Sequence, residues 1–449
     1  MTEANPARGK EVFDLDRKYV FHSWSAQSQI SPLPVAGGKG SYFWDFDGKR
    51  YLDFSCQLVF TNIGFQHPKV IDGIKKQADI LATVAPQVAN DVRSEAAQRI
   101  VELAGPKFAK VFFTNGGADG NENAIRMARL HTNRHKILSF YRSYHGNTAS
   151  AISATGDPRR WPNEFAFGHI HFFGPYAYRS AFWAKNEEEE CQRALEHLEN
   201  VIIFEGPKTI AAILIESVVG TAGVLMPPKG YLEGVRALCD KYGILWIADE
   251  VMSGFGRTGK WFAYQHSSVE PDLIVFAKGV NSGYVPLGGV VITKPVSETF
   301  NERVFPGGLT YSGHPLACAA AVATIDVMKE EKIVEHAASI GEKVIGPALR
   351  ELAKKHKIIG EVRGQGVFWA LDLVTDRNTK APLAPYGGTS PAMTEIVTEC
   401  KKRGLMPFNN FNRIHVVPPC NVSEAEVLEG IKILDEALAI AGKYYEGKD

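Results

Sequence analysis

Two ionisable residues end runs of apolar residues: residues 244–248 lead into Asp249-Glu250, and residues 273–276 lead into Ala277-Lys278-Gly279. Each run is short and bounded, as a buried strand is, so an acid and an amine emerge at the same kind of strand end. Singly, each has an ordinary reading. A strand-end lysine is usually solvated along its stem, and Asp249 or Glu250 could cap the following turn. A third run, Phe113-Thr114, passes through Asn115-Gly116-Gly117-Ala118-Asp119-Gly120-Asn121-Glu122, a strand entering a helix through glycines. Unpaired N–H groups at such a junction could hold a phosphate. Asp119 and Glu122 suit equally a tight turn whose acids offset the helix dipole. Tyr141-Arg142-Ser143-Tyr144-His145-Gly146 sets an aromatic at another strand–helix junction, to stack on a flat ring or to fill core. An amine able to form an imine, an acid, a ring-stacking aromatic and a phosphate cradle together are the groups needed to hold pyridoxal 5'-phosphate.

A competing motif must be weighed. Gly254-Phe255-Gly256-Arg257-Thr258-Gly259 fits G-x-G-x-x-G and follows an expected strand, with Asp272 at a distance reminiscent of a ribose-binding acid. A dinucleotide site needs a helix opening at those glycines. Only about a dozen residues, Pro271 among them, separate Gly259 from the next strand. That leaves little room for a crossover helix and makes an NAD-dependent dehydrogenase a remote reading. Neither HExxH nor GxSxG is present, and the cysteines lack paired spacing, so no metal site is expected.

The elements that must position these groups follow from hydrophobic period. Residues 42–53 read as a hairpin about Asp47-Gly48, after a short helix near Phe13. Helices are expected at 67–82, 92–104 and from Ala118, and strands at 110–114, 136–140, 211–215, 244–248, 273–276 and 289–292. This alternation implies a parallel or mixed sheet with ligands at its strand ends. The acidic run Glu187 to Glu190 reads as the solvated start of a helix. After a helix at 315–329 come a long helix at 333–355, strands at 358–363 and 367–373, a helix before Gly404, a strand at 414–417 and a helix at 423–441. The expected division is an N-terminal flap at 1–66, a large domain at 67–330 and a smaller α+β domain at 331–449.

Composition sets the wider bounds. The 449 residues are 45% hydrophobic and 22% charged, enough apolar material for a large core. Fifty basic against fifty acidic residues give no net pull toward nucleic acid or membrane. No apolar run approaches the ~20 residues a bilayer requires. Residues 1–10 lack an apolar centre, so a secretory or transit segment is not expected. Six scattered cysteines read as reduced thiols in a cytoplasmic protein.

The motifs resemble those of the class III aminotransferases, of the pyridoxal phosphate fold-type I group. Asp249-Glu250-Val251-Met252-Ser253-Gly254-Phe255-Gly256-Arg257-Thr258-Gly259 is similar to that family's aspartate segment, Phe276-Ala277-Lys278-Gly279 to its lysine segment, and Thr310-Tyr311-Ser312-Gly313-His314-Pro315 to its phosphate-closing segment. The resemblance implies an α/β fold, with a large domain around a mostly parallel seven-stranded sheet and a smaller α+β C-terminal domain. It implies that Lys278 holds the cofactor and shuttles the proton at the substrate's Cα, and that Asp249 pairs with the pyridine nitrogen. Tyr144 and Val251 would cover the ring's two faces, and Gly117 and Ala118 would give N–H groups to the phosphate. The family commonly has Gly-Ser where this chain has Gly117-Ala118, so one hydroxyl donor is missing. Glu216 matches a family acid near the cofactor, with a core-network role as its alternative. Thr310 would reach the phosphate of a neighbouring subunit, implying a homodimer with shared sites, or a tetramer built from it.

Trp24-Ser25-Ala26-Gln27, Tyr42-Phe43-Trp44-Asp45, Ser55-Cys56-Gln57-Leu58-Val59 and Gly307-Gly308-Leu309-Thr310-Tyr311-Ser312 are similar to the taurine–pyruvate and ω-amino acid–pyruvate transaminases. The implied reaction is ping-pong transfer of an amino group from an ω-amino acid, a taurine-like compound or a primary amine to a keto acid, with pyruvate expected. Another reaction of the same cofactor, amino-group mutation or decarboxylation, shares every motif. Leu58, Val59 and Phe60 match the family's pocket-lining segment. Many relatives carry a carboxylate-binding arginine shortly after Gly-Leu-Met, where this chain has Gly404-Leu405-Met406-Pro407-Phe408. Arg413 and His415, two apart on an expected strand, would share a face and could replace it. The alternative for Arg413 is a surface or interdomain ion pair.

Overall fold

The computed structural model describes residues 4–448. Met1 to Glu3, part of the stretch read for a leader, and Asp449 lie outside the described residues. Seven strands form the central sheet, in the order Phe108–Thr114, Gly288–Thr293, Leu273–Phe276, Leu245–Asp249, Ile210–Glu216, Lys136–Phe140 and His169–Phe172. The last five run parallel. Gly288–Thr293 is antiparallel to both of its neighbours. Ile210–Glu216 and Leu273–Phe276 are buried along their whole length. Helices cover a parallel sheet on both faces, which is why such strands read as unbroken apolar runs. His169–Phe172 was not expected from the sequence: it is an edge strand, only partly buried, with histidines at alternate positions.

The register brings the chemistry together. Glu216 lies beside Asp249 and Asp249 beside Val275 across the parallel ladder, so neighbouring strands end at one rim. Lys278 follows two residues after Phe276 at the same rim.

The second sheet joins distant parts of the chain. Its path runs Val35–Lys39, Tyr42–Asp45, Arg50–Phe54, Leu405–Asn410, Arg413–Val416, Phe368–Asp376 and Ile359–Gln365. Strands Tyr42–Asp45 and Arg50–Phe54 form the hairpin read about Asp47-Gly48, in which the Asp45 carboxylate accepts the N–H groups of Asp47 and Lys49 at 3.1 and 2.9 Å. The hairpin is built into the C-terminal sheet, because Leu52 pairs in parallel with Leu405. Strand Leu405–Asn410 was not expected; Pro407 within it is a residue that argues against a strand from sequence alone. Helix Glu424–Ala441 starts in a capping box, with the Ser423 hydroxyl accepting the Glu426 N–H and the Glu426 carboxylate accepting that of Ser423.

Two local readings change. The long helix expected at 333–355 is two α-helices, Ile333–Ile340 and Gly346–Lys355, joined by a wider π turn. The acidic run opens helix Glu187–Glu205, with Glu187 and Glu188 exposed, but Glu190 is wholly buried and accepts the Tyr176 N–H at 2.7 Å. All six cysteines are free and buried. Among the described residues no helix is long and apolar enough to cross a membrane, and no group of histidine, cysteine and carboxylate side chains could hold a metal ion.

Candidate active site

Lys278 sits just past the end of its strand with φ 47°, a left-handed backbone that non-glycine residues rarely adopt. It lines a cavity of about 230 Å³ together with Asn115, Gly116, Gly117, Val251 and Phe60. The residue after it must be small: a Cβ on Gly279 would meet Asn62 Nδ2 at 2.4 Å and Phe255 Cβ at 3.0 Å. Asn62 is fixed in turn, donating to the Phe255 carbonyl at 2.7 Å and accepting from Arg257 at 2.7 Å. Arg257 is fully buried and also donates to the Pro418 carbonyl and the Cys56 sulfur. The glycine-rich loop that mimics a dinucleotide motif is therefore the platform beside the lysine. Burial pushes the Lys278 amine down to about 8; Asp249 and Glu216 act to raise it, while Arg159 and Arg257 lower it further.

Asp249 is buried, and its two oxygens are used differently. Oδ2 accepts from Asn121 Nδ2 at 2.8 Å and from His145 Nδ1 at 2.7 Å, while Oδ1 takes only the Val251 N–H at 3.1 Å. Two side-chain donors on one oxygen fix the plane of the carboxylate. Asn121 also donates to the His145 carbonyl at 2.8 Å, which ties the two holders together. Both residues stand within the strand–helix junctions read from the sequence, where nothing local gives either a role.

The backbone at Gly116 and Gly117 is bare toward the cavity. A Cβ on Gly117 would meet Val251 Cγ2 at 2.8 Å, and no side chain caps the first turn of helix Gly117–Thr132. Glu122, which could have opposed an anion there, is turned away: its carboxylate accepts the Thr148 hydroxyl at 2.7 Å and the N–H groups of Ser150 and Ala151 at 3.0 and 3.2 Å. These groups suit pyridoxal 5'-phosphate: a lysine amine of lowered basicity, an oriented carboxylate, and an uncapped helix start over glycine.

Tyr144 is anchored by its N–H, which donates to Glu216 Oε1 at 3.1 Å; Glu216 Oε2 accepts the Gly220 N–H at 2.8 Å. Burial raises the Glu216 carboxyl above its usual range, opposed by His145. The Arg159 guanidinium lies 3.5 Å from the centre of the Tyr144 ring and is gripped by Asp157, which receives its Nε at 3.0 and 3.1 Å. Arg159 thus places a positive charge within electrostatic reach of Lys278. Sequence reasoning missed it; the signal was Asp157-Pro158-Arg159, a side chain that can cap its own short turn.

The other expected residues are dispersed. Cys56, Gln57 and Val59 all have positive φ, and Asp53 holds this turn by accepting the N–H groups of Ser55 and Gln57, each at 3.0 Å. Of residues 58–60, Phe60 lines the lysine cavity, Val59 is buried in a cluster with Phe368 and Val417, and Leu58 is 48% exposed. Ala118 lies against Gly146 rather than in the cavity lining. Thr310 is exposed at the surface. Arg413 and His415 do share a face, both against the loop after Glu216: His415 Nε2 meets the Gly220 carbonyl at 3.1 Å, and Arg413 packs on Gly223. Neither lines the lysine cavity. Burial holds His415 neutral, pushing it down to about 3, and its ring lies tilted against Phe408 with 4.5 Å between centres.

Comparison with known proteins gives a consistent result. Residues 24–438 match the family described as aminotransferase class-III. The taurine–pyruvate aminotransferase of Bilophila wadsworthia is 33% identical over 95% of this chain and 96% of its own. Among solved structures, taurine:2-oxoglutarate aminotransferase from Bifidobacterium kashiwanohense, in complex with PLP and glutamate, has a TM-score of 0.95 and 44% identity, covering 97% of this chain and 99% of that one. The omega transaminase from Pseudomonas jessenii in complex with PMP has a TM-score of 0.92 and 31% identity, covering 97% and 99%.

Proposed function

The chain belongs to the class III aminotransferases, whose cofactor is pyridoxal 5'-phosphate, and from that premise we propose that it transfers an amino group from an ω-amino acid, a taurine-like sulfonate or a primary amine to a keto acid, with pyruvate as acceptor. The bound cofactor supplies an electron sink and carries the amino group between the two half-reactions. The observation that carries this reading is the rim where Lys278, Asp249 and Glu216 meet with Arg159 beside them.

Lys278 would hold the cofactor, and its amine would take and return the proton at the substrate's Cα. A basicity near 8 suits that task, since a general base works best close to the working pH. Asp249, oriented by Asn121 and His145, would face the cofactor's pyridine nitrogen and hold its proton. Tyr144 and Val251 would cover the two faces of the ring, and Gly117 and Ala118 would offer backbone N–H groups to the phosphate. Glu216 keeps the Tyr144 segment in place. A second copy of the chain would supply Thr310 to the phosphate, which makes the unit a homodimer or a tetramer made from it. The exposure of Thr310 is consistent with that reach. A cytoplasmic location fits six free, buried thiols.

Two arginines are candidates for the substrate's carboxylate or sulfonate. Arg159 is preferred because it lies on the Tyr144 ring and is near enough to Lys278 to lower the basicity of its amine; Arg413 is the second candidate. Phe60, from the flap, closes the cavity on the side of Gly283, where a Cβ would meet its ring at 2.3 Å.

The test is a visible spectrum of the purified protein with taurine, β-alanine and a simple primary amine as donors. A yellow band that each active donor bleaches and pyruvate restores supports the reading. A colourless protein that pyridoxal 5'-phosphate cannot reconstitute, or full activity in Lys278→Ala, would overturn it. Product analysis separates transamination from amino-group mutation and decarboxylation, which consume no keto acid.

A further inference from the structure

A second cavity, of about 410 Å³, lies between the outer part of the central sheet and the C-terminal sheet, and shares no lining residue with the cavity of Lys278. Four arginines face it: Arg142, Arg160, Arg179 and Arg413. Their counter-charges are unequal. Arg160 has Glu164 at 2.5 Å, and Arg179 has Asp372 at 2.8 Å. Asp372 also accepts from Tyr176, Asn412 and Arg363, so little of it is left for Arg413, whose Nε stands at 3.5 Å, buried and without a hydrogen bond. Among the described residues Arg142 has no carboxylate at ion-pair distance; it lies 5.2 Å from the Tyr176 ring centre.

Arg142 is also held in an unusual backbone, φ 74°, by its N–H to the Gly156 carbonyl at 3.0 Å. An arginine fixed there fits a binding role better than chance surface placement. Burial lowers the basicity of both Arg142 and Arg413, the sign of cations that lack a full counter-charge. Buried charge without a partner is costly, so an anion entering the cavity would be favoured. The two deficient cations come from different parts of the fold, Arg142 beyond strand Lys136–Phe140 and Arg413 in strand Arg413–Val416. Trp161 and Tyr386 supply aromatic wall, and the volume suits a small organic molecule more than a single oxyanion.

We propose that this interdomain cavity binds a small dicarboxylate, one carboxylate held at Arg142 and the other at Arg413, with its carbon chain against Trp161 and Tyr386. The ligand would bridge the segment that carries Tyr144 and the C-terminal sheet. Because Arg413 lines this cavity, the proposal rests on the reading in which Arg159 takes the substrate's anion; binding itself needs no turnover.

Calorimetry of the cofactor-loaded protein with glutarate, propionate and inorganic phosphate as probes tests it, with the visible band followed in parallel. Glutarate should bind one site at least about tenfold more tightly than either other probe, as two charge-assisted contacts replace one. Arg142→Ala should weaken glutarate about tenfold or more, and Arg159→Ala should leave it unchanged. If Arg142→Ala does not fold by melting and circular dichroism, Trp161→Ala and Arg142→Lys serve, each expected to weaken glutarate while keeping the visible band. Unchanged glutarate binding in those variants overturns the proposal. So does loss of binding in Arg159→Ala, which would assign the anion to the lysine cavity, or phosphate binding as tightly as glutarate.

Discussion

Stripped of cofactor, the protein should recapture pyridoxal 5'-phosphate with a pH dependence centred near 8, because only the neutral Lys278 amine can attack the aldehyde. The amine falls from its ordinary 10.5 to about 8, first through burial. At pH 7.5 roughly a quarter of such amines are neutral, against about one in a thousand for an exposed lysine, a difference of some two orders of magnitude. The cofactor is removed by an amine donor in phosphate buffer, and stopped-flow absorbance follows the return of the visible band between pH 6.5 and 10. Removing Arg159, which lowers the amine, should move the midpoint up in Arg159→Ala; removing the Asp249 charge in Asp249→Asn should move it down. The linkage has a definite sign. A folded-state value below the unfolded one means that the native apoprotein binds fewer protons between about 8 and 10.5, so its stability rises with pH across that window, by about 3 kcal/mol at most. A capture rate that climbs with a midpoint near 10.5 in folded apoprotein would refute the reasoning.

Three further outcomes are expected. His145→Ala removes a buried donor from Asp249 Oδ2, a loss of about 1–3 kcal/mol in holding that carboxylate, so kcat should drop about tenfold or more with amine KM little changed. Gly279→Ala forces a Cβ against Asn62 Nδ2 and should cost cofactor binding well before it costs folding, read as a fainter visible band at an unchanged circular dichroism spectrum. Arg159→Ala should raise KM for pyruvate and for taurine about tenfold or more while sparing an uncharged amine; the same change in KM from Arg413→Ala alone would shift the anion role to Arg413.

The strands bearing the acid and the amine were legible because a parallel strand buried on both faces must be apolar throughout, so polar residues can appear only where it ends. That logic located Asp249, Lys278 and the glycine junction at Gly116-Gly117, and rejected the dinucleotide reading for lack of a helix after Gly259; Glu216 came from the family resemblance. It could not show what the rejected motif does instead: Arg257 is buried against Asn62, a partner 195 residues away.

What the sequence by itself determined was the order and length of most elements, because hydrophobic period and turn chemistry are local. The tertiary structure alone decided that the N-terminal hairpin joins the C-terminal sheet through Leu52 and Leu405, and that Asn121 and His145 meet on Asp249 across 128 and 104 residues. It also decided that Glu190 is a buried acceptor and that Arg159 lies on Tyr144. The physical reason is the same in each case. Burial pattern records how much water a residue loses, whereas the partner that satisfies a buried polar group is fixed only when distant segments pack.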